Sequence, residues 1–245
     1  MLLDPTPVKA VVFDYGNTLI AFGREQVDQF DALLLEAVTA EFGPPDPAQY
    51  KARRDADRMF PYQGDPPSYR ENDVREMTAG LIREVYGREP SAETLDRLIA
   101  VRQEAFVRVV RGEPQVLDVL ARLSARYRLA LLSNYPDGDA IRASLDDTGI
   151  APFLKHALVS GDLGLCKPHP DVFRAALDAL ALPPEAVLFV GDNWLADVQG
   201  ARRAGMQAVH FRRWIPPEHF PEQPGDLTPH ATITALEELA SLLGV

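Results

Sequence analysis

Three short stretches of the chain are almost wholly apolar: residues 8–13, 129–132 and 187–190. Continuous apolar runs of this length, as opposed to alternating ones, predict strands buried on both faces of a parallel sheet. Each run stops abruptly in small or polar residues: Asp14, then Ser133 and Asn134, then Gly191, Asp192 and Asn193. Weaker strand patterns lie at 157–160, 207–211 and 231–233. Helical periodicity covers 171–182 and 194–204, and a terminal helix is expected over 235–243. Strands alternating with helices predict an α/β fold built on a Rossmann-like, doubly wound parallel sheet. Such sheets bind ligands beyond the carboxyl ends of their strands, which is where the polar residues collect.

Residues 21–111 follow another pattern. No strand run occurs there, only amphipathic helices. One carries Val27, Phe30, Leu34 and Val38 at helical spacing and is stopped by Gly43, Pro44 and Pro45. A second covers 72–86, with Val74, Met77, Leu81 and Val85, and ends at Gly87. A third starts after Pro90, with Ser91 as its N-cap, and presents Leu95, Leu98, Arg102, Phe106 and Val109 on one face. Residues 60–68, rich in proline, read as a loop. The expected organisation is a discontinuous α/β domain of residues 1–20 and 112–245, with an all-helical domain of residues 21–111 inserted after the first strand. An insertion at the ligand-binding edge is placed to act as a lid.

Composition narrows the partners. The 245 residues are 46% hydrophobic and 25% charged, as in ordinary globular proteins. A formal net charge of −11 opposes binding to nucleic acid or to an anionic membrane face. No apolar run approaches the roughly 20 residues that span a bilayer. Residues 1–9 lack the composition of a leader, and the single cysteine, Cys166, leaves no internal disulfide. The expectation is a cytoplasmic protein acting on small molecules; the pattern leaves its oligomeric state open.

The residues at the strand ends suit phosphoryl chemistry. They are Asp14, Ser133, Lys167 within Gly-Leu-Cys-Lys-Pro-His-Pro, and the pair Asp192 and Asp197. Carboxylates hold hard, oxygen-loving cations. A lysine and a hydroxyl neutralise and orient phosphate oxygens, and a spare carboxylate can attack phosphorus. Each residue also has a plainer reading: Asp14 as a turn or cap residue, Ser133 and Asn134 as N-caps, Asp192 and Asp197 as helix-start carboxylates, and Lys167 as a surface lysine.

Taken in order, four strings resemble the motifs of the haloacid dehalogenase (HAD) superfamily: Val-Val-Phe-Asp14-Tyr-Gly-Asn-Thr-Leu, Leu-Leu-Ser133-Asn134, the Lys167 string, and Gly191-Asp192 through Asp197. The helical block resembles the cap that one subgroup inserts between its first and second motifs. The resemblance implies a phosphatase-like hydrolase using Mg²⁺, with Asp14 as nucleophile and metal ligand. It implies that Thr18, Ser133 and Asn134 belong to the catalytic set and that Lys167 steadies the transferring phosphoryl. It implies that the Gly16 carbonyl, Asp192 and Asp197 complete or support the metal site, and that the substrate is a small phosphorylated metabolite.

Gly16 departs from that pattern, since phosphatases of the superfamily usually place a second aspartate there as general acid–base. Losing such a group costs about 10²–10⁴-fold in rate. His169 or a residue of the helical block is a substitute to test, although His169 reads first as structural. Cys166 reads as a packing residue. The cluster Lys51, Arg53, Arg54 and Arg58, interleaved with Asp55 and Asp57, reads as a solvated helical face. Trp194 shapes the site entrance or packs against the helical block. Two rival functions are a non-catalytic module binding phosphate and magnesium, which Gly16 favours, and a metal-independent 2-haloacid dehalogenase. Gly191-Asp192 and Gly16 both disfavour the dehalogenase.

Overall fold

A computed structural model describes residues 3–214 and 221–245. Six parallel strands form one sheet in the order β3-β2-β1-β4-β5-β6. They are β1 (Ala10–Phe13), β2 (Arg128–Ser133), β3 (Leu154–Val159), β4 (Val187–Gly191), β5 (Gln207–Phe211) and β6 (Ala231–Ile233). All three strong apolar runs are strands, and they lie side by side at the centre. The lack of alternation has the expected cause. Val11 and Phe13 of β1 point into the core on one face of the sheet, and Ala10 and Val12 into the core on the other.

Between β1 and β2 run α1 (Arg24–Phe42), α2 (Pro47–Met59), a 3₁₀ turn at Phe60–Tyr62, α3 (Val74–Tyr86), α4 (Ala92–Val109) and α5 (Pro114–Ser124). Their ends follow local chemistry. The Asp46 side chain caps α2 by accepting from the Gln49 amide at 2.8 Å, and Ser91 caps α4 by accepting from the Thr94 amide at 3.1 Å. Gly87, at φ 63°, closes α3 in the left-handed region. α1 packs on α4, and α2 and α3 close the group around Val38, Tyr50, Leu81, Ile82 and Leu98. α5 instead packs on β2 and on the terminal α10 (Leu236–Leu243). The remaining helices are α6 (Gly138–Asp147), α7 (Ser160–Leu163), α8 (Pro170–Leu180) and α9 (Gly200–Arg203), with α9 preceded by a π-helical turn at Trp194–Gln199. No helix among the described residues is long and apolar enough to cross a membrane.

One sequence expectation is corrected here. The basic cluster on α2 is not simply a solvated face. Arg54 is buried and bonds Asp31 at 2.8 Å, and Arg53 is paired with Asp57 at 2.8 Å and Glu84 at 3.2 Å. Tyr50, Arg54 and Asp57 follow a helical period inward, so α2 packs through polar groups that an apolar pattern does not reveal. Trp194 is buried, with its ring on the β5 side of the sheet. Its Nε1 donates to Asp226 at 2.7 Å, and its ring meets the edge of His210 beside β5.

Candidate active site

The sheet order places the three central strand ends next to one another. The Asp14 amide donates to the Val190 carbonyl at 2.9 Å, which continues the β1–β4 ladder into the polar segment. Beyond it the chain turns tightly. The Tyr15 carbonyl receives the amides of Thr18, Leu19 and Ile20, and Asn17 takes φ 56°.

Lys167 arrives from the loop between α7 and α8 and is 1% exposed. Its Nζ donates to Asp14 Oδ1 and to Asp197 Oδ1, both at 2.7 Å, and stands 5.2 Å from the centre of the Phe189 ring. The other oxygen of Asp197 accepts from the Asn193 amide at 2.9 Å. A Cβ on Gly191 would fall 2.4 Å from the Asp197 carboxyl carbon, so this approach requires glycine. The helix predicted from 194 begins as a π turn, and in that turn Asp197 returns beneath Gly191.

Thr18 is buried and its hydroxyl donates to Asp14 Oδ2 at 3.4 Å. Asn134 acts through its amide on the backbone of Lys167: its Nδ2 donates to the Lys167 carbonyl at 2.9 Å, and its Oδ1 accepts the Lys167 amide at 2.8 Å. This clamp sets the lysine and leaves the amide little capacity for a substrate. Ser133 ends β2 beside Asp14, buried. His169 caps α8, its Nδ1 accepting from the Asp171 amide at 3.2 Å, so it is engaged structurally. Cys166 is buried, and that burial pushes its thiol up to about 12. Gly16 is unstrained: an added Cβ would meet only Phe22 Cβ, at 3.5 Å.

Charge in this pocket is unbalanced. Asp14, Asp192 and Asp197 bring ligand atoms within 4.8 Å of one another, against the one ammonium of Lys167. Burial raises Asp14 above the ordinary carboxylate range, and Lys167 pulls it back only in part. Burial, then repulsion from Asp14 and Asp197, raises Asp192. Burial works against the ammonium of Lys167, yet the two carboxylates more than offset it and its pKa rises. Once all three carboxylates are ionised, against one ammonium, the pocket carries two negative charges, which suits an oxygen-ligated divalent cation.

The rim includes groups that the sequence reading did not single out. Tyr62 reaches Asn134, with its hydroxyl 3.4 Å from Nδ2. The Glu71 carboxyl accepts from Ser160 Oγ and is raised by burial. The Tyr69 carbonyl accepts the Cys166 amide at 2.9 Å, and the Glu71 amide donates to Gly164 at 3.1 Å. The stretch just after the segment read as a loop, residues 69–71, is therefore tied to the backbone that leads into Lys167. One signal was available: Arg102 stood on an otherwise apolar helical face.

The family model of haloacid dehalogenase-like hydrolases matches residues 8–205. The chain belongs to this family. This HAD-like hydrolase is similar to a phosphoserine phosphatase of Thermus thermophilus, 41% identical over 155 residues, a match covering 61% of each chain. It thus spans about three fifths of that curated relative's length. Among solved structures, a 2-haloacid dehalogenase of Pseudomonas syringae superposes with TM-score 0.72 at 22% identity, over 97% of this chain and 98% of the other. A HAD-hydrolase of Bacillus subtilis bound to magnesium gives TM-score 0.65 at 24% identity, over 97% and 99%. Both structural likenesses support the fold of this HAD-like hydrolase, with its parallel sheet and helical insertion.

Proposed function

We propose that this hydrolase cleaves small phosphate monoesters through an aspartyl phosphate on Asp14, with Mg²⁺ held by Asp14, Asp192 and the Gly16 carbonyl. The observation that carries the reading is the buried carboxylate of Asp14, held by Lys167, beside two further carboxylates. One carboxylate oxygen of Asp14 attacks phosphorus, the ester oxygen leaves with the bond electrons, and water then cleaves the acyl phosphate to return Asp14 and inorganic phosphate. Lys167 and the Ser133 hydroxyl stabilise the phosphoryl oxygens as charge shifts onto them. The bound cation supplies charge neutralisation of the phosphoryl group. Asn134 keeps Lys167 in register, and Asp197 braces both the lysine and the Asn193 turn. Residues 21–111 form the cap over this edge, and residues 1–20 with 112–245 form the core.

The phosphatase name of the Thermus relative favours a phosphate ester over a haloacid, as do Asp192 and Gly16. The direct test is phosphate release from a panel of esters, O-phosphoserine among them, with magnesium or with chelator. Release that chelator removes is the expected result. Magnesium binding without release from any ester would favour the non-catalytic module. Magnesium must displace a proton from Asp192, whose pKa is raised. Its affinity, measured by calorimetry, is therefore expected to strengthen as pH rises above the ordinary carboxylate range.

Gly16 leaves the departing oxygen without a carboxylic acid to protonate it. Gly16→Asp fits the space beside Phe22 and is expected to raise kcat about 10–10²-fold on alkyl phosphates. On p-nitrophenyl phosphate, whose leaving group needs no proton, the gain is expected to be small. Equal gains on both classes of ester would show that the added carboxylate does not act as an acid.

A further inference from the structure

The peptide between Asp192 and Asn193 is gripped at both of its polar atoms. Its amide donates to Asp197 Oδ2 at 2.9 Å, and its carbonyl lies 2.9 Å from Nε2 of His210. A carbonyl only accepts, so the imidazole carries a proton on Nε2 and donates it. His210 belongs to β5, stands in register with Gly191 of β4 and is only 6% exposed. A histidine buried on an inner strand costs free energy unless its polar atoms are paired. An apolar ring would fill the same place without that cost, so packing alone does not account for an imidazole here.

The grip matters because of what surrounds Asp192. Asp14, Asp192 and Asp197 bring ligand atoms within 4.8 Å of one another, and without a cation their charges repel. Rotation of the 192–193 peptide would let Asp192 turn away from the other two, but it breaks two hydrogen bonds at once. Both ends of the grip are anchored. The other oxygen of Asp197 accepts from Lys167 at 2.7 Å. The His210 ring meets Trp194 at 5.4 Å between centres, and the indole of Trp194 donates to Asp226 at 2.7 Å. Asp226 also accepts the Gln223 amide at 2.9 Å. Gln199 ties the same loop to the π turn through two bonds with Leu227, at 2.7 and 3.0 Å.

We propose that His210 is a positioning residue for the cation, acting through the Asp192 carbonyl to hold the Asp192 carboxylate beside Asp14. The inference rests on the magnesium part of the reading above and not on the identity of the ester. Groups that orient a metal ligand contribute about 10–100-fold to metal affinity. Here the orienting bond falls on the backbone of the ligand residue, so its effect passes through the direction of the side chain.

The test is calorimetric affinity for magnesium alone, at one pH and with no ester present. His210→Phe keeps a ring against Trp194, removes the donor and is expected to weaken magnesium binding about 10-fold or more. His210→Gln restores an N–H donor on a flexible chain and is expected to stay within about threefold of the unmodified protein. With a responsive ester, His210→Phe is expected to need about 10-fold more magnesium for half-maximal release, while kcat at saturating magnesium and KM for the ester change little. A histidine that merely supports the fold would lower the melting temperature in chelator and leave magnesium affinity unchanged. That result overturns the proposal, as does an equal loss of affinity in both variants. If His210→Phe does not fold, nitrogen-15 NMR of the unmodified protein decides. An imidazole protonated at Nε2 whose resonance moves on adding magnesium is expected, and one indifferent to magnesium overturns the proposal. An unmodified protein that binds no magnesium overturns it together with the metal reading. Absence of phosphate release from every ester tests the phosphatase reading separately and leaves the calorimetric comparison to decide the role of His210.

Discussion

Asp14→Asn is expected to lower magnesium-dependent phosphate release by about 10⁴-fold or more, to the level of the chelated protein. The side chains have the same shape, but an amide oxygen is a poor nucleophile toward phosphorus and carries no charge for a cation. The variant is expected to fold. Asn keeps an oxygen for the Lys167 ammonium, and Lys167 keeps Asp197 at 2.7 Å. Burial already disfavours the charge on Asp14, so its removal spares the fold a desolvation cost. An unchanged melting curve with lost turnover is the signature sought. Substantial activity in this variant would mean that water attacks directly and that the acyl phosphate does not form.

Lys167→Met is expected to cost about 10³-fold in kcat and to destabilise the protein as well. Removing one partner from a buried ionic group costs about 3–5 kcal/mol, because the other charge stays buried without compensation. For a chain of this size that corresponds to roughly 10 °C in Tm. The pH dependence has a definite sign. Burial already raises the folded-state pKa of Asp14, and losing the ammonium raises it further. A raised acid stabilises the fold below its unfolded pKa and gives up that contribution as pH rises through the folded value. The deficit of the variant is therefore expected to be smaller at pH 5 than at pH 8, measured by thermal unfolding at both. A deficit that does not change with pH would show that lost packing against Phe189, not lost charge, explains the instability.

The sheet was readable because strands buried on both faces announce themselves as continuous apolar runs. The runs at 129–132 and 187–190 therefore located the polar residues at their ends. Asp14, Ser133 and Asp192 follow central strands whose carboxyl ends share one edge, and Lys167 and Asp197 reach Asp14 there from a loop and a π turn. What the sequence did not disclose was division of labour within that set. The amide of Asn134 is bound to the backbone of a residue 33 positions away, and no local pattern encodes that. Likewise α2 buries Tyr50, Arg54 and Asp57, so its inward face reads as polar surface. Segment 60–68 has the composition of a loop, and the ties of residues 69–71 just after it to residues 164–166 depend on long-range placement.

The bridge between Arg70 and Leu165, with the bonds of Tyr69 and Glu71 beside it, joins the helical insertion to the loop that ends in Lys167. The stitch adds to other ties between insertion and core, among them the packing of α4 on α6, the bond from Gln103 to Asp137 and the Phe106–Tyr135 ring contact. An outward swing of the insertion would strain the stitch and, through it, the loop that carries Lys167. A molecule that holds the insertion against the core is therefore expected to steady the lysine as well.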